Sequence, residues 1–145
     1  MAMPRCDHAA IRVANLERSL EFYQQLLPAR LVSRTAHEDR WRTEVATLEP
    51  LGQPDFRIVL LHARRVRWLL ALFHRFVPRQ TRSHEHLGFA CDNLDELRRC
   101  EARARELGAR IENPLTQLGE KEAWLLEVLD PDGNGVEWTF GPIHG

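Results

Sequence analysis

The chain repeats itself, and that repetition limits its fold more than any other feature. Asp7-His8 opens one segment and Glu85-His86 another, 78 residues further on. The same offset pairs Asn15 with Asn93, Leu16 with Leu94 and Glu17 with Asp95. Ala29-Arg30-Leu31 pairs with Ala109-Arg110-Ile111 at an offset of 80, whereas Leu48-Glu49 and Leu126-Glu127 return to 78. A two-residue insertion, later compensated, accounts for that drift and marks an old duplication.

Each half carries the same local signals. Short alternating segments at 7–13 and 85–91 read as strands. Asn15 and Asn93 stand where helices would begin, because an Asn side chain accepts from free amides of a first turn. Helices are expected over about 16–27 and 94–107, with Gly108 placed to stop the second. Leu16, Leu20, Tyr23 and Leu27 recur at three- and four-residue steps and share one face. Three strands then follow in each half, at about 29–36, 41–48 and 56–62, and at 109–117, 122–129 and 135–140. The fold class is α+β: two βαβββ modules whose curved sheets form a metal-binding cup. A single domain over 1–145 is expected, with module 1 at about 5–62, a linker over about 63–83 and module 2 at about 84–141. Within the linker, residues 64–77 have an amphipathic helical pattern that would bury its apolar side on the sheet or a partner. Trp41, Trp124 and Trp138 are expected in the core or the cup wall.

Strand alternation sorts the side chains. Ala9, Ile11 and Val13 should face the helix, leaving His8 and Arg12 on the other side. Leu87, Phe89 and Cys91 likewise leave His86, and Val136, Trp138 and Phe140 leave Glu137 and Thr139. Two imidazoles and one carboxylate on the faces away from the helices suit a divalent metal with positions left open. Fe2+ and Mn2+ are favoured, and Zn2+ and Ni2+ also fit the donors. Asp130-Pro131-Asp132-Gly133-Asn134 is dense in turn residues. A symmetric turn there sets Glu127 opposite Glu137, as a neighbouring acid that could move protons. At offset 78, Val59 stands at the place of Glu137 and Glu49 at that of Glu127, so a symmetric four-ligand site is not expected. His84 shares the face of His86 and is a second candidate proton carrier. Arg12, Thr139 and Glu49 are candidates to contact substrate.

The bulk properties narrow the functional classes. A formal net charge of -1 offers no electrostatic case for nucleic acid. The longest apolar run, Trp68 to Phe73, is too short for a membrane span, and the first residues lack the apolar segment of a secretory leader. Cys6, Cys91 and Cys100 are odd in number and form no C-x-x-C pair, which suits a reducing compartment. A cytoplasmic protein is expected, without membrane or nucleic-acid partners.

Three motifs carry a family resemblance. Asp7-His8-x-x-Ile11-x-Val13-x-Asn15-Leu16-x-x-Ser19-x-x-Phe22-Tyr23 resembles the opening of vicinal-oxygen-chelate proteins, the glyoxalase, bleomycin resistance and extradiol dioxygenase group. His86-Leu87-Gly88-Phe89 resembles their second-module opening, and Asp130-Pro131-Asp132-Gly133-Asn134-Gly135-Val136-Glu137 the segment bearing their last ligand. The resemblance covers about residues 7–140. It implies His8, His86 and Glu137 as ligands and a substrate that offers two adjacent oxygens to the metal. It also implies a homodimer, with the cup built within one chain or from modules of two. The function implied is a metal-dependent dioxygenase (an oxidoreductase) or a glyoxalase-like lyase or isomerase, acting on a small molecule. The competing reading is a non-catalytic binding or antibiotic-resistance protein of the same fold. Val59 departs from the four-ligand glyoxalase pattern. The single tyrosine, Tyr23, lies in a helix, and no histidine occurs between 87 and 143, unlike the usual extradiol site.

Overall fold

A computed structural model describes residues 6–64, 86–120 and 122–142. The chain divides into two compact units, Met1–Gln80 and Thr81–Gly145. Unit 1 contains β1 (His8–Arg12), α1 (Leu16–Leu26), β2 (Ala29–Ala36), β3 (Thr43–Pro50) and β4 (Arg57–Ala63). Unit 2 contains β5 (His86–Ala90), α2 (Leu94–Glu106), β6 (Arg110–Gln117), β7 (Trp124–Leu129) and β8 (Gly135–Phe140). Each unit is βαβββ, as the repeat predicts. The expected linker helix lies outside the described residues apart from Arg64, and His84 and Glu85 lie outside them too.

The two sheets have the same topology, β1-β4-β3-β2 and β5-β8-β7-β6. β1 runs parallel to β4 and β5 to β8, while the other pairs are antiparallel. The parallel pairing follows from the order of elements, because the helix carries the chain across the sheet before the meander returns it.

Both helices begin at the expected caps. The Asn15 side chain accepts from the Arg18 amide at 3.1 Å, and that of Asn93 from the Glu96 amide at 2.9 Å. The Glu96 carboxylate returns the favour to the Asp92 amide at 2.9 Å. Gly108, at φ +64°, ends α2 in the left-handed conformation that glycine adopts without a Cβ clash. In unit 1, Leu16, Leu20, Tyr23 and Leu26 of α1 are buried, as are Ile11, Ala46, Leu48, Ile58 and Leu60 of the sheet. In unit 2, Leu97 and Ala104 of α2 are buried with Leu87, Leu126, Val128, Val136 and Trp138. Each fully buried aliphatic side chain contributes about 1.5–3 kcal/mol, so these two cores hold the helices to their sheets.

Two expectations need correction. β3 starts at Thr43, not 41, because Asp39 closes a turn first: it accepts from the Trp41 amide at 3.1 Å and the Thr43 amide at 2.9 Å. Arg42 takes a left-handed φ of 49° to complete that turn. Trp41 therefore sits outside the core, 45% exposed, beneath the Arg40 guanidinium.

The second correction concerns how the halves superpose. Glu127 opposes Glu137, but Val59 is opposed by Thr47, not Glu49. The strand pairs β1–β4 and β5–β8 match at an offset of 78, whereas β2–β3 and β6–β7 match at 80. α2 is two residues longer than α1, and the turn from β3 to β4 is two residues longer than that from β7 to β8, which restores the register. The match of Leu48-Glu49 to Leu126-Glu127 is thus a coincidence of sequence.

Candidate metal and substrate site

Register places the candidate side chains on the face of each sheet away from its helix. In unit 2 one row runs Asn113, Glu127, Glu137, Gly88 across β6, β7, β8 and β5. The next row includes Leu129, Gly135 and His86. His86 is therefore a diagonal neighbour of Glu137 on the adjacent strand, a spacing of roughly 7–8 Å between backbones that long polar side chains can bridge. Gly88 lies directly beside Glu137, and a Cβ built there would meet nothing within 4 Å. The space between the imidazole and the carboxylate is thus left open by the sequence.

The Asp130 turn holds this register. Asp130 is buried, and its Oδ1 accepts from the Asp132 and Asn134 amides, both at 2.8 Å. Its Oδ2 accepts from Asn134 Nδ2 at 2.9 Å, and Gly133 turns the chain at φ +89°. Glu127 is 6% exposed, and its Oε2 accepts from Asn113 Nδ2 at 2.5 Å. Glu137 is half-buried, and among the described residues its side chain makes no hydrogen bond or ion pair. Thr139 lies on the same face one row further on, its hydroxyl 3.5 Å from the Phe89 carbonyl.

In unit 1 the equivalent rows are Ser33, Thr47, Val59, Ala10 and Arg30, Glu49, Arg57, His8. His8 is exposed, and its Nδ1 donates to Asp7 Oδ1 at 2.6 Å. A carboxylate only accepts, so the proton sits on Nδ1 and Nε2 presents its lone pair outward. That arrangement is the usual support of a metal-ligating imidazole. The hydrogen bond from His8 is the first cause that holds the Asp7 carboxyl below the ordinary carboxylate range. His8 also lines a shallow concavity of about 490 Å3 together with Thr47, Arg57 and Val59.

Glu49 is already engaged. Arg30 Nη2 lies 2.8 Å from its Oε1, and Arg57 Nη2 2.8 Å from its Oε2. Both oxygens are neutralised, so Glu49 is not open to a cation, and the open face of unit 1 offers His8 as its candidate ligand. Arg12 lies two residues along β1 from Ala10 on the same exposed face. Tyr23 is fully buried in α1, on the opposite side of the sheet from His8. Cys91 is buried against Cys100, whose hydrogen bond, with burial, pushes its thiol well above the ordinary range.

Among the described residues, no three His, Cys, Asp or Glu side chains are gathered closely enough to hold a metal ion. Unit 2 supplies a half-site, His86 and Glu137 flanking Gly88, with Glu127 beside it. Unit 1 supplies one imidazole with a preset tautomer. Imidazole and carboxylate donors on an uncrowded face fit a divalent cation chemically. Two residues in this arrangement escaped the sequence reading, Asp7 and Asn113. Asp7 was adjacent to His8 in plain view; Asn113 comes to Glu127 only through strand pairing.

Duplicated βαβββ units with histidine and acid on their open faces define a class of paired-module proteins. The chain belongs to the Glyoxalase/Bleomycin resistance protein/Dioxygenase superfamily, whose model matches residues 5–138. No curated protein matches the chain. Among solved structures it is similar to a glyoxylase/bleomycin resistance protein/dioxygenase domain from Frankia sp. EAN1pec. That match has 20% identity and a TM-score of 0.71, and covers 97% of this chain and 99% of that one. It is also similar to the fosfomycin resistance protein FosX of Listeria monocytogenes, solved with Mn(II) and sulfate, at 14% identity and a TM-score of 0.67, covering 99% and 96%. Lactoylglutathione lyase of Agrobacterium tumefaciens matches at 15% identity and a TM-score of 0.70, covering 100% and 99%. At these identities the likeness concerns the fold. No helix among the described residues is long and apolar enough to cross a membrane.

Proposed function

We propose that the chain is a divalent-metal-dependent enzyme acting on a small substrate with vicinal oxygens, either dioxygenase-like or glyoxalase-like. His86 and Glu137 would hold the cation together with His8, from the same chain or from a second copy. The observation that carries this reading is the open space over Gly88, flanked by His86 and Glu137, with Glu127 directly opposite Glu137. Mn2+ and Fe2+ suit this donor set, and FosX, a protein of the same fold, was solved with Mn(II). A cation bound there supplies Lewis-acid stabilisation of negative charge on substrate oxygens.

The chain's own groups would do the rest. Glu127, with its Oε2 held by Asn113, would be the group that takes or returns a proton. Arg12 would steer an anionic substrate by charge, and the Thr139 hydroxyl would help orient it. Glu49 would act on substrate only through Arg57, whose guanidinium it holds. His84 remains a proposed proton carrier from outside the described residues.

The test is elemental analysis of protein purified without chelator, followed by aerobic turnover of catechols and other vicinal-oxygen compounds. We expect about one divalent metal per site, its loss in Glu137→Ala, and activity abolished by chelation. Stoichiometric protection of a ligand without turnover would instead favour a binding protein, and a metal-replete preparation that binds no vicinal-oxygen ligand would defeat the proposal.

A further inference from the structure

We propose that Asn113 is a positioning residue that presets Glu127 beside Glu137, so that the cation meets an acid pair already in place. The inference rests on the metal-site reading above and adds a residue to it.

The hydrogen bond from Asn113 Nδ2 to Glu127 Oε2 is 2.5 Å long, and Glu127 is 6% exposed. A carboxylate can only accept, so the amide orientation is fixed by its partner. A buried carboxylate is held in place by the donors it accepts from, and losing this one would loosen the hold on Oε2. The backbone is adapted to the task. Register shifts lie on both sides of Asn113, between Ile111 and Asn113 and between Asn113 and Thr116. Bulges of this kind re-aim a side chain, and Pro114 has no amide to pair across the ladder.

The duplication provides an internal control. The row Asn113, Glu127, Glu137, Gly88 corresponds to Ser33, Thr47, Val59, Ala10 in unit 1. β2 also shifts register, between Leu31 and Ser33, so the first bulge belongs to the common fold. The amide and both acids occur together in one copy and are all absent from the other. A merely architectural asparagine would have no reason to track the acids.

The experiment measures Mn(II) affinity by electron paramagnetic resonance, on full-length protein stripped with chelator and reloaded. Asn113→Leu and Glu127→Gln should each weaken Mn(II) binding by about tenfold, the usual scale for a partner that orients a metal-site side chain. The double variant should be no weaker than the worse single one, and Asn113→Gln should recover part of the loss. In metal-free protein the Asn113 side-chain amide proton should resonate downfield, and that shift should vanish in Glu127→Ala. If Asn113→Leu does not fold, Asn113→Ser, which copies unit 1, carries the same expectation. Wild-type affinity in the Asn113 and Glu127 variants, with Mn(II) lost only in Glu137→Ala, overturns this proposal and leaves the metal site standing. Absence of Mn(II) binding to the wild-type chain overturns both.

Discussion

Replacing Asp130 with alanine removes a buried carboxylate that accepts three hydrogen bonds at 2.8–2.9 Å from Asp132 and Asn134. Hydrogen bonds to a charged acceptor are worth about 1.5–3 kcal/mol each, but these three share one group, and water can reach some of the freed donors. We expect Asp130→Ala to lose about 2–4 kcal/mol. Asp130→Asn keeps an acceptor for the backbone amides and should lose only about 1 kcal/mol. Urea unfolding followed by tryptophan fluorescence is the assay, since Trp124 and the buried Trp138 lie on β7 and β8, the strands that the turn joins. With a slope of about 1.5 kcal/mol per molar, the alanine variant's midpoint should fall by roughly 1–3 M at unchanged slope. The turn also sets Glu127 opposite Glu137, so alanine protein that remains folded should bind Mn(II) more weakly than wild type. A midpoint within about 0.3 M of wild type would refute the assignment of the turn's stability to Asp130.

Other outcomes can be stated more briefly. Gly88→Leu should leave thermal stability unchanged or higher by about 0.5–1 kcal/mol, because its Cβ meets open space and glycine is entropically costly in a strand. The same variant should abolish metal retention by filling the gap between His86 and Glu137, and full retention would show that the metal lies elsewhere. Asn93→Ala should destabilise unit 2 by about 1 kcal/mol through loss of the α2 cap, read from thermal melts; no change would mean the cap is redundant. Hydrogen bonds from Thr43 hold the Asp39 carboxyl below its unfolded value of 3.8, so its contribution is present above that pH and is lost as pH falls through the lower folded value. The Thr43 amide resonance should therefore follow a transition centred below pH 3.8, and one centred at pH 5 would contradict the hydrogen-bonded turn.

The sequence revealed much of this molecule, and the reasons are local ones. Caps at Asn15 and Asn93, the stop at Gly108 and the alternation in β1, β5 and β8 each depend on residues within a few positions of one another. The Asp130 turn is compact enough that its symmetry gave the Glu127–Glu137 pairing correctly. Longer-range placement was less visible. Nothing near Glu49 in the chain indicates that Arg30 and Arg57 would neutralise it, and nothing near Glu127 points to Asn113. The offset through β3 was misread because a Leu-Glu dipeptide recurs by chance, and only strand register exposes the error. Trp41 was misplaced because composition reports that a residue is apolar, not that a side chain at position 39 has already turned the chain.

The two-residue step between the copies has a consequence for how such a chain can drift. Neighbouring positions on a strand point to opposite sides, so a slip of one would have sent Leu48 and Ala46 into solvent and driven Thr47 into the helix packing. A step of two keeps every side chain on its own side, and the compensating insertions give it the equivalent partner in each copy. Parity thus lets the halves diverge in chemistry while their cores stay interchangeable, and a neutral threonine can stand in one copy where the other keeps an acid.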